Sequence, residues 1–372
     1  MIAGFIRAGE AAARLPLFFC AIALPVLGTA GSGHAADRAI VVVALPSTGA
    51  RPAIAEAMAA AVAAPKDLPF DIETEDDGCT DAGARRIADR VLERSRSGAA
   101  IAAVIGHPCA AAARAAAARY KSGPVLYVPT APLPVEARPG PRDAREMLIL
   151  IDDTESEGAF LGRIAADAEG GAPRIAVVSD ATRSMREIAR DSVAAATARN
   201  AVPVVAETIA AGTRDLEPIA QRLAAARVSR IILAAFPAEA WLLIDALQRL
   251  GISPTILAPT ALAGEPPPPG AHTAAARVLV AQRAIPGNGS NAPAGDTMAA
   301  RAHALTSIEL QVVAAAIAKT PGKRPSGADL AAALRDVAVP TTFGRVTFDA
   351  NGRSDLPAWQ LLAWNGSRWV AK

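Results

Sequence analysis

Two cysteines stand out by their setting. Cys109 ends the stretch "AAIAAVIGHPC", where an apolar run stops at Gly106, and a helix made almost wholly of alanine follows it; Cys79 lies in "DDGCTDAG". Sulfur at such turns suits a disulfide or a metal, and the metal reading is the weaker. The chain has no C-x-x-C, and His107, His272 and His303 are scattered, so His107 beside Cys109 gives too few ligands for a site. His107 reads as a turn residue. No metal and no cofactor is expected. Catalytic signatures are missing as well: there is no G-x-S-x-G elbow, no Walker loop and no dinucleotide fingerprint after the first strand. "GNGSN" (287–291) has glycines but lies in a loop with no strand before it. An enzyme is not expected.

Which sulfur chemistry applies depends on the compartment. Arg7 and Arg14 precede an apolar run from Leu15 to Leu27, and small residues follow up to Asp37. This is the order of a secretory signal, cut near Gly33-His34-Ala35 or one residue later. Residues 1–35 are therefore expected to be removed, and the protein to work in the periplasm. A membrane anchor needs about 20 apolar residues, and here Pro16 and Pro25 interrupt a shorter run. A lipid-modified Cys20 would want a small residue before it, where Phe18 and Phe19 stand. Cleavage leaves Cys79 and Cys109, and an exported pair is expected to form a disulfide. Closing a loop of that length stabilises by about 3–4 kcal/mol in the chain-entropy description.

The bulk numbers narrow the partners. A chain of 372 residues folds as about two domains. It is 52% hydrophobic but only 4% aromatic, so its cores are built from small side chains, alanine above all. A net charge of +2, with no basic stripe interleaved with aromatics, argues against nucleic acid.

Stepping along the chain from Ala39, apolar runs alternate with alanine-rich amphipathic stretches. "AIVVVAL", "LPFDIETE", "AAIAAVIG" and "PVLYVP" read as strands, with helices between them and after Cys109. "ARPGPRDAREMLILIDDTESEG" interrupts the pattern, which then restarts through "RIAVVSD", "VPVVAETI", "RIILAAF" and "PTILAP". Continuous apolar strands separated by helices mark a parallel sheet covered on both faces. "GEPPPPGAH" (264–272) and "PGNGSNAPAGD" (286–296) read as loops. A long helix follows, with Leu305, Ile308 and Val312 on one stripe. Ser326 and Asp329 form a capping box opening another helix with Leu330, Leu334 and Val337. The tail is β-rich, with turn signals at Asn351-Gly352 and Asn365-Gly366 that suggest a hairpin added to a parallel fold.

Several of these segments carry a resemblance. "DDGCTDAGARRIADRVL", "AAVIGHPCAAAARAAAARY", "LYVPTAP" and the closing "TTFGRVTFDANGRSDLPAWQLLAWNGSRWV" resemble the periplasmic branched-chain amino acid-binding proteins, the type I solute receptors of ABC transporters, over about 39–370. The resemblance implies an α/β fold of two doubly wound parallel-sheet lobes joined by a three-crossover hinge, closing on a ligand like jaws. Crossings near 151, 281 and 357 would give lobes of 37–151 plus 281–357 and 152–280 plus 358–372. The disulfide would brace the jaw edge. A monomer that serves an ABC permease in the inner membrane is implied. An exported sensing or accessory protein of the same fold is the alternative, and neighbouring permease genes separate the two.

The family's pocket positions are mostly altered. Its hydroxyl residue after the second cysteine falls on Ala110, its threonine on the next loop on Pro132 or Thr130, and its ammonium-binding acid on Thr260. Its aromatics fall on Ser184 and on Phe236 or Pro237, and the first binding loop, "LPSTGARP", is short. A buried ammonium without a carboxylate costs several kcal/mol, so a branched-chain amino acid is not the expected ligand. An apolar rim (Ala110, Ala131, Phe236, Pro237), the hydroxyls of Thr130, Ser184 and Thr260, helix-start amides and Arg183 suit an anion with an apolar body. In the plainer reading, Arg183 and Arg186 lie on a solvated helix face. The alanines after Cys109 pack closely and favour helix, leaving backbone amides as the only polar groups that turn offers.

Overall fold

The computed structural model describes residues 38–48, 51–121, 123–138, 146–151, 155–167, 172–286, 297–320, 324–335 and 337–372. The signal-like segment and the glycines of 287–291 lie outside these residues.

The first half of the chain forms β1 (Ala39–Leu45), α1 (Pro52–Ala63), β2 (Phe70–Asp76), α2 (Asp81–Arg96), β3 (Ile101–Gly106), α3 (Ala110–Tyr120) and β4 (Leu126–Pro129). In β1, Val41, Val43 and Leu45 enter one core while Val42 and Ala44 enter another. A strand buried on both faces needs apolar side chains at every position, which is why "AIVVVAL" shows no alternation. Pro52 opens α1, where a missing N–H leaves nothing unsatisfied. Thr80 caps α2, its hydroxyl accepting the Gly83 N–H at 3.0 Å. The strands pair in parallel in the order β2-β1-β3-β4. α2 and α3 cover one face, and α3 seats Ala112, Ala113 and Ala116 with no exposed surface.

The second half repeats the plan. α4 (Glu157–Ala166), β5 (Ile175–Asp180), α5 (Arg183–Thr197), β6 (Val205–Ile209), α6 (Glu217–Ala225), β7 (Arg230–Ala234), α7 (Pro237–Arg249), β8 (Thr255–Ala258), the short α8 (His272–Ala275) and β9 (Val278–Arg283) follow. The parallel part of the second sheet runs β6-β5-β7-β8-β9, the same winding as the first. Strand β9, "VLVAQR", has no counterpart in the sequence reading, which left 273–285 unassigned.

α4 and α5 touch backbone to backbone. A Cβ on Gly162 would overlap the Ser192 carbonyl oxygen, and Ser192 Oγ donates to the Gly158 carbonyl at 2.9 Å. Gly162→Ala is therefore expected to cost about 1–3 kcal/mol through forced separation of the helices. Urea unfolding reads this directly, and an unchanged midpoint would contradict it.

The chain then returns to the first sheet. α9 (Thr297–Lys319) and α10 (Gly327–Ala332) cover the face that α1 leaves open, through Leu305, Ile308, Val312 and Leu330. The Ser326–Asp329 capping box is formed. A small ribbon, β10 (Val339–Thr341) with β11 (Gly344–Val346), leads to β12 (Trp359–Trp364) and β13 (Trp369–Ala371). These last two make the expected hairpin, turning at Asn365 and Gly366 (φ 100°), and β12 joins the second sheet antiparallel to β9. The protein is thus two doubly wound α/β lobes, and the chain passes between their sheets after β4, after β9 and before β12. No helix among the described residues is long and apolar enough to cross a membrane.

Candidate functional site

Open parallel sheets gather ligands beyond the carboxyl ends of their strands, where the winding reverses. Here those points lie between β1 and β3 and between β5 and β7.

On the first sheet the reversal point is braced. Cys79 and Cys109 are joined, with Cα atoms 5.4 Å apart. Asp77 ties the same two loops without covalent help: Oδ1 accepts the Cys79 N–H at 2.8 Å, and Oδ2 lies 2.9 Å from His107 Nδ1, with both side chains buried. His107 (φ 54°) is indeed a turn residue. Gly106 before it (φ 109°) comes so close to Ala44 that a Cβ would overlap the Ala44 carbonyl oxygen.

Beside this brace lies a cavity of about 90 Å³ lined by Arg51, Ile54, Thr130, Arg301, Ala302 and Leu305, with Ala131 at its edge. Two larger hollows, of about 200 and 190 Å³, sit at strand starts instead, one beside Pro254 before β8 and one beside Ala100 before β3. They face away from the reversal points. Of these three, the small cavity lies at the carboxyl ends.

Its polar lining is unusual. Nε and Nη2 of Arg301 are shut off from solvent and meet no acceptor among the described residues. Burial holds the Arg301 guanidinium below its ordinary range. Arg283, stacked over the Trp359 ring at 3.9 Å, is pushed down to about 10 by burial and by the positive charge of Arg301. Thr130 faces the cavity and lies 2.9 Å from Oε2 of Glu309, a fully buried residue of α9. Burial pushes the Glu309 carboxyl up to about 8, opposed by the Thr130 hydrogen bond.

The residues proposed from sequence fall into two groups. Thr130 and Ala131 meet in the cavity. Ala110, at the start of α3, is exposed and does not line it. The other four stand at the carboxyl end of the second sheet. Arg183 and Ser184 open α5; the Arg183 side chain is 89% exposed and pairs with Glu187 at 2.8 Å. Phe236, 42% exposed, donates its backbone N–H to Asp180 Oδ2 at 3.0 Å. Thr260 gives both its N–H and its hydroxyl to Glu157 Oε1, each at 2.6 Å.

Arg51, Arg301, Glu309 and Glu157 are the residues that sequence reasoning missed. Arg301, Leu305 and Glu309 recur every four residues and so share one helix stripe; two charged groups framing a leucine on a largely apolar helix were the available signal. Glu157 matters because the sequence reading left Thr260 with no acid near it. The fold brings one there from 103 residues away. Among the described residues no His, Cys, Asp or Glu cluster is placed to hold a metal ion.

A family model described as periplasmic binding protein matches residues 41–367. No curated protein matches the chain in sequence. Among solved structures, one from Rhodospirillum rubrum described as a branched-chain amino acid ABC transporter is 17% identical, with a TM-score of 0.64 over 90% of this chain and 99% of that one. An ABC transporter substrate-binding protein from Desulfitobacterium hafniense in complex with Leu is 16% identical, with a TM-score of 0.55 over 90% and 99%. An ABC transporter solute binding protein from Rhodopseudomonas palustris BisB5, in complex with 3,4-dihydroxy benzoic acid, is 15% identical, with a TM-score of 0.52 over 90% and 96%. Likeness at this level of identity concerns the fold.

Proposed function

The chain belongs to the periplasmic binding protein family, and from that premise we propose that it is the solute-binding component of an ABC-type uptake system, closing on a small organic acid. The proposal takes residues 1–35 as an export signal and the mature chain as a periplasmic monomer that an inner-membrane permease reads when closed. The lobes proposed are 37–151 plus 281–357 and 152–280 plus 358–372, save that β9 pairs within the second sheet as far as Arg283. A ligand that touches both lobes only when they are shut shifts the hinge equilibrium by its differential affinity. That role needs no bond-making chemistry.

One observation carries the choice of ligand: Arg301 lines the cavity, and its Nε and Nη2 are buried with no described acceptor. An unmet buried donor costs about 1–3 kcal/mol, more when charged. A carboxylate with bidentate geometry would satisfy it, with Arg51 adding charge and Ile54, Ala302 and Leu305 receiving an apolar body. Thr130 and Ala131 stay in the proposed site on this side; Ala110, Ser184, Phe236 and Thr260 would meet the ligand from the rims. Arg183 is the weakest member, since Glu187 already engages it in solvent. The Rhodopseudomonas relative with an aromatic acid shows that such a guest suits one scaffold of this kind.

A second reading has Glu157 in its favour. Its carboxylate at Thr260 could take an ammonium, and the ligand would then be a zwitterion, as leucine is in the Desulfitobacterium relative. Thermal unfolding with benzoate, hexanoate and leucine decides between them. A ligand at a hundred times its Kd adds about 2.7 kcal/mol. Benzoate or hexanoate is expected to stabilise and leucine not to; stabilisation by leucine alone would replace the first reading with the second.

A further inference from the structure

Glu309 is wholly buried, and no cation pairs with it among the described residues. Its Oε2 lies 2.9 Å from Thr130 Oγ1, while Oε1 meets no partner among the described residues. Arg301, two turns back, is about 12 Å away along the helix axis at 1.5 Å per residue, too far to neutralise it. The ionisable groups on surrounding elements are few. The α1 segment carries Arg51 and Glu56, both exposed. On α10 there is Asp329, occupied by its capping box, and β10 has none. Beyond β3 sits His107, held by Asp77, and on β4 Tyr127, whose phenol burial raises well above its usual value. On α9 itself, His303 lies nearest toward Arg301.

Thr130 has one hydroxyl hydrogen and two neighbours that can use it, Glu309 behind and the cavity in front. An ionised carboxylate only accepts. It would draw the hydrogen inward, leave lone pairs facing the cavity and add a negative charge behind them. A protonated carboxyl can donate to Thr130 instead, which frees the hydroxyl hydrogen for a guest. We propose that Glu309 carries a proton at neutral pH and so turns Thr130 into a hydrogen-bond donor toward a ligand carboxylate. Glu309 is then the positioning residue behind the cavity's preference for anions. This rests on reading the cavity as an organic-acid site. Burial agrees with it, raising the carboxyl to about 8.

The test compares the full mature chain with Glu309→Gln, whose amide is neutral and still donates. Infrared spectra between pH 6.5 and 9.5 are expected to show a protonated carboxyl that fades above about pH 8 and that the variant lacks. The sign of the stability change is also defined. The folded carboxyl keeps its proton where the unfolded one, near 4.5, has lost it, so wild type sheds stability as pH rises from there through about 8, and the variant does not shed that share. For benzoate, which does not titrate in this range, the competent fraction of wild type falls to about one tenth at pH 9. Binding should weaken about tenfold between pH 6.5 and 9 in wild type and stay level in Glu309→Gln. Only ionised carboxylates at pH 6.5, or the same pH dependence in both proteins, would overturn the proposal. If the variant fails to fold, the wild-type infrared titration decides alone. Should benzoate not bind at either pH while the protonated carboxyl is present, the organic-acid reading fails and the assignment of Glu309 stands.

Discussion

Arg301→Met is expected to weaken benzoate binding at least thirtyfold while leaving the empty protein as stable as before, or more so. The two halves of this result share one cause. Without a guest, the buried Nε and Nη2 have lost water and gained no acceptor among the described residues, so methionine of similar reach relieves a cost. With a carboxylate bound, the same atoms would complete a desolvated charge pair. Removing one partner of such a pair costs about 2–5 kcal/mol, which is roughly thirtyfold or more in affinity. Titration calorimetry with benzoate, beside thermal unfolding of the empty protein, measures both. Equal affinity in wild type and variant would remove Arg301 from the site.

Cutting the disulfide has the second large consequence. Cys79→Ala with Cys109→Ala is expected to cost about 3.6 kcal/mol, the chain-entropy value for a closed loop of 30 residues. For a body of this size that lowers the melting midpoint by about 5 °C. The fold should survive, because Asp77 still links the Cys79 amide to His107 across the same two loops. Replacing Asp77 by Ala in the double variant would remove this tie as well, and the loss should then exceed the sum measured separately. Calorimetric melting of the oxidised, reduced and substituted proteins checks this; an unchanged midpoint after complete reduction would refute it.

What could be seen in advance follows from how local each signal is. Strand β1 was legible because a two-sided strand writes its burial into consecutive residues. The capping box at Ser326 and the turn at Asn365-Gly366 are equally local, and the cysteine pair was legible from its scarcity. Strand β9 was not, because "VLVAQR" is a short apolar run ending in Gln282 and Arg283, shared between a buried start and a half-exposed end. The candidate site was the least legible part. Thr130 was found because the binding threonine of the resembled family falls on it or on Pro132. Its neighbours come from α9, with Glu309 179 positions later in the chain, and only the packing of that helix onto the first sheet brings Arg301 and Glu309 to it. The acid beside Thr260 was missed for the same reason.

The cover supplied by α9 also bears on how such a chain is made. One face of the first sheet rests on Leu305, Ile308, Val312, Val313 and Leu330, whereas α1 offers it Ile54 and Met58 with Val62 partly buried beside them. A nascent chain that has emitted all four strands of that sheet thus still lacks most of what would hold them shut, and contacts this distant in sequence form slowly. Some two hundred more residues must leave the ribosome after β4 before α10 is complete and that face of the first sheet can be closed, so the first lobe is among the last parts of the chain able to settle.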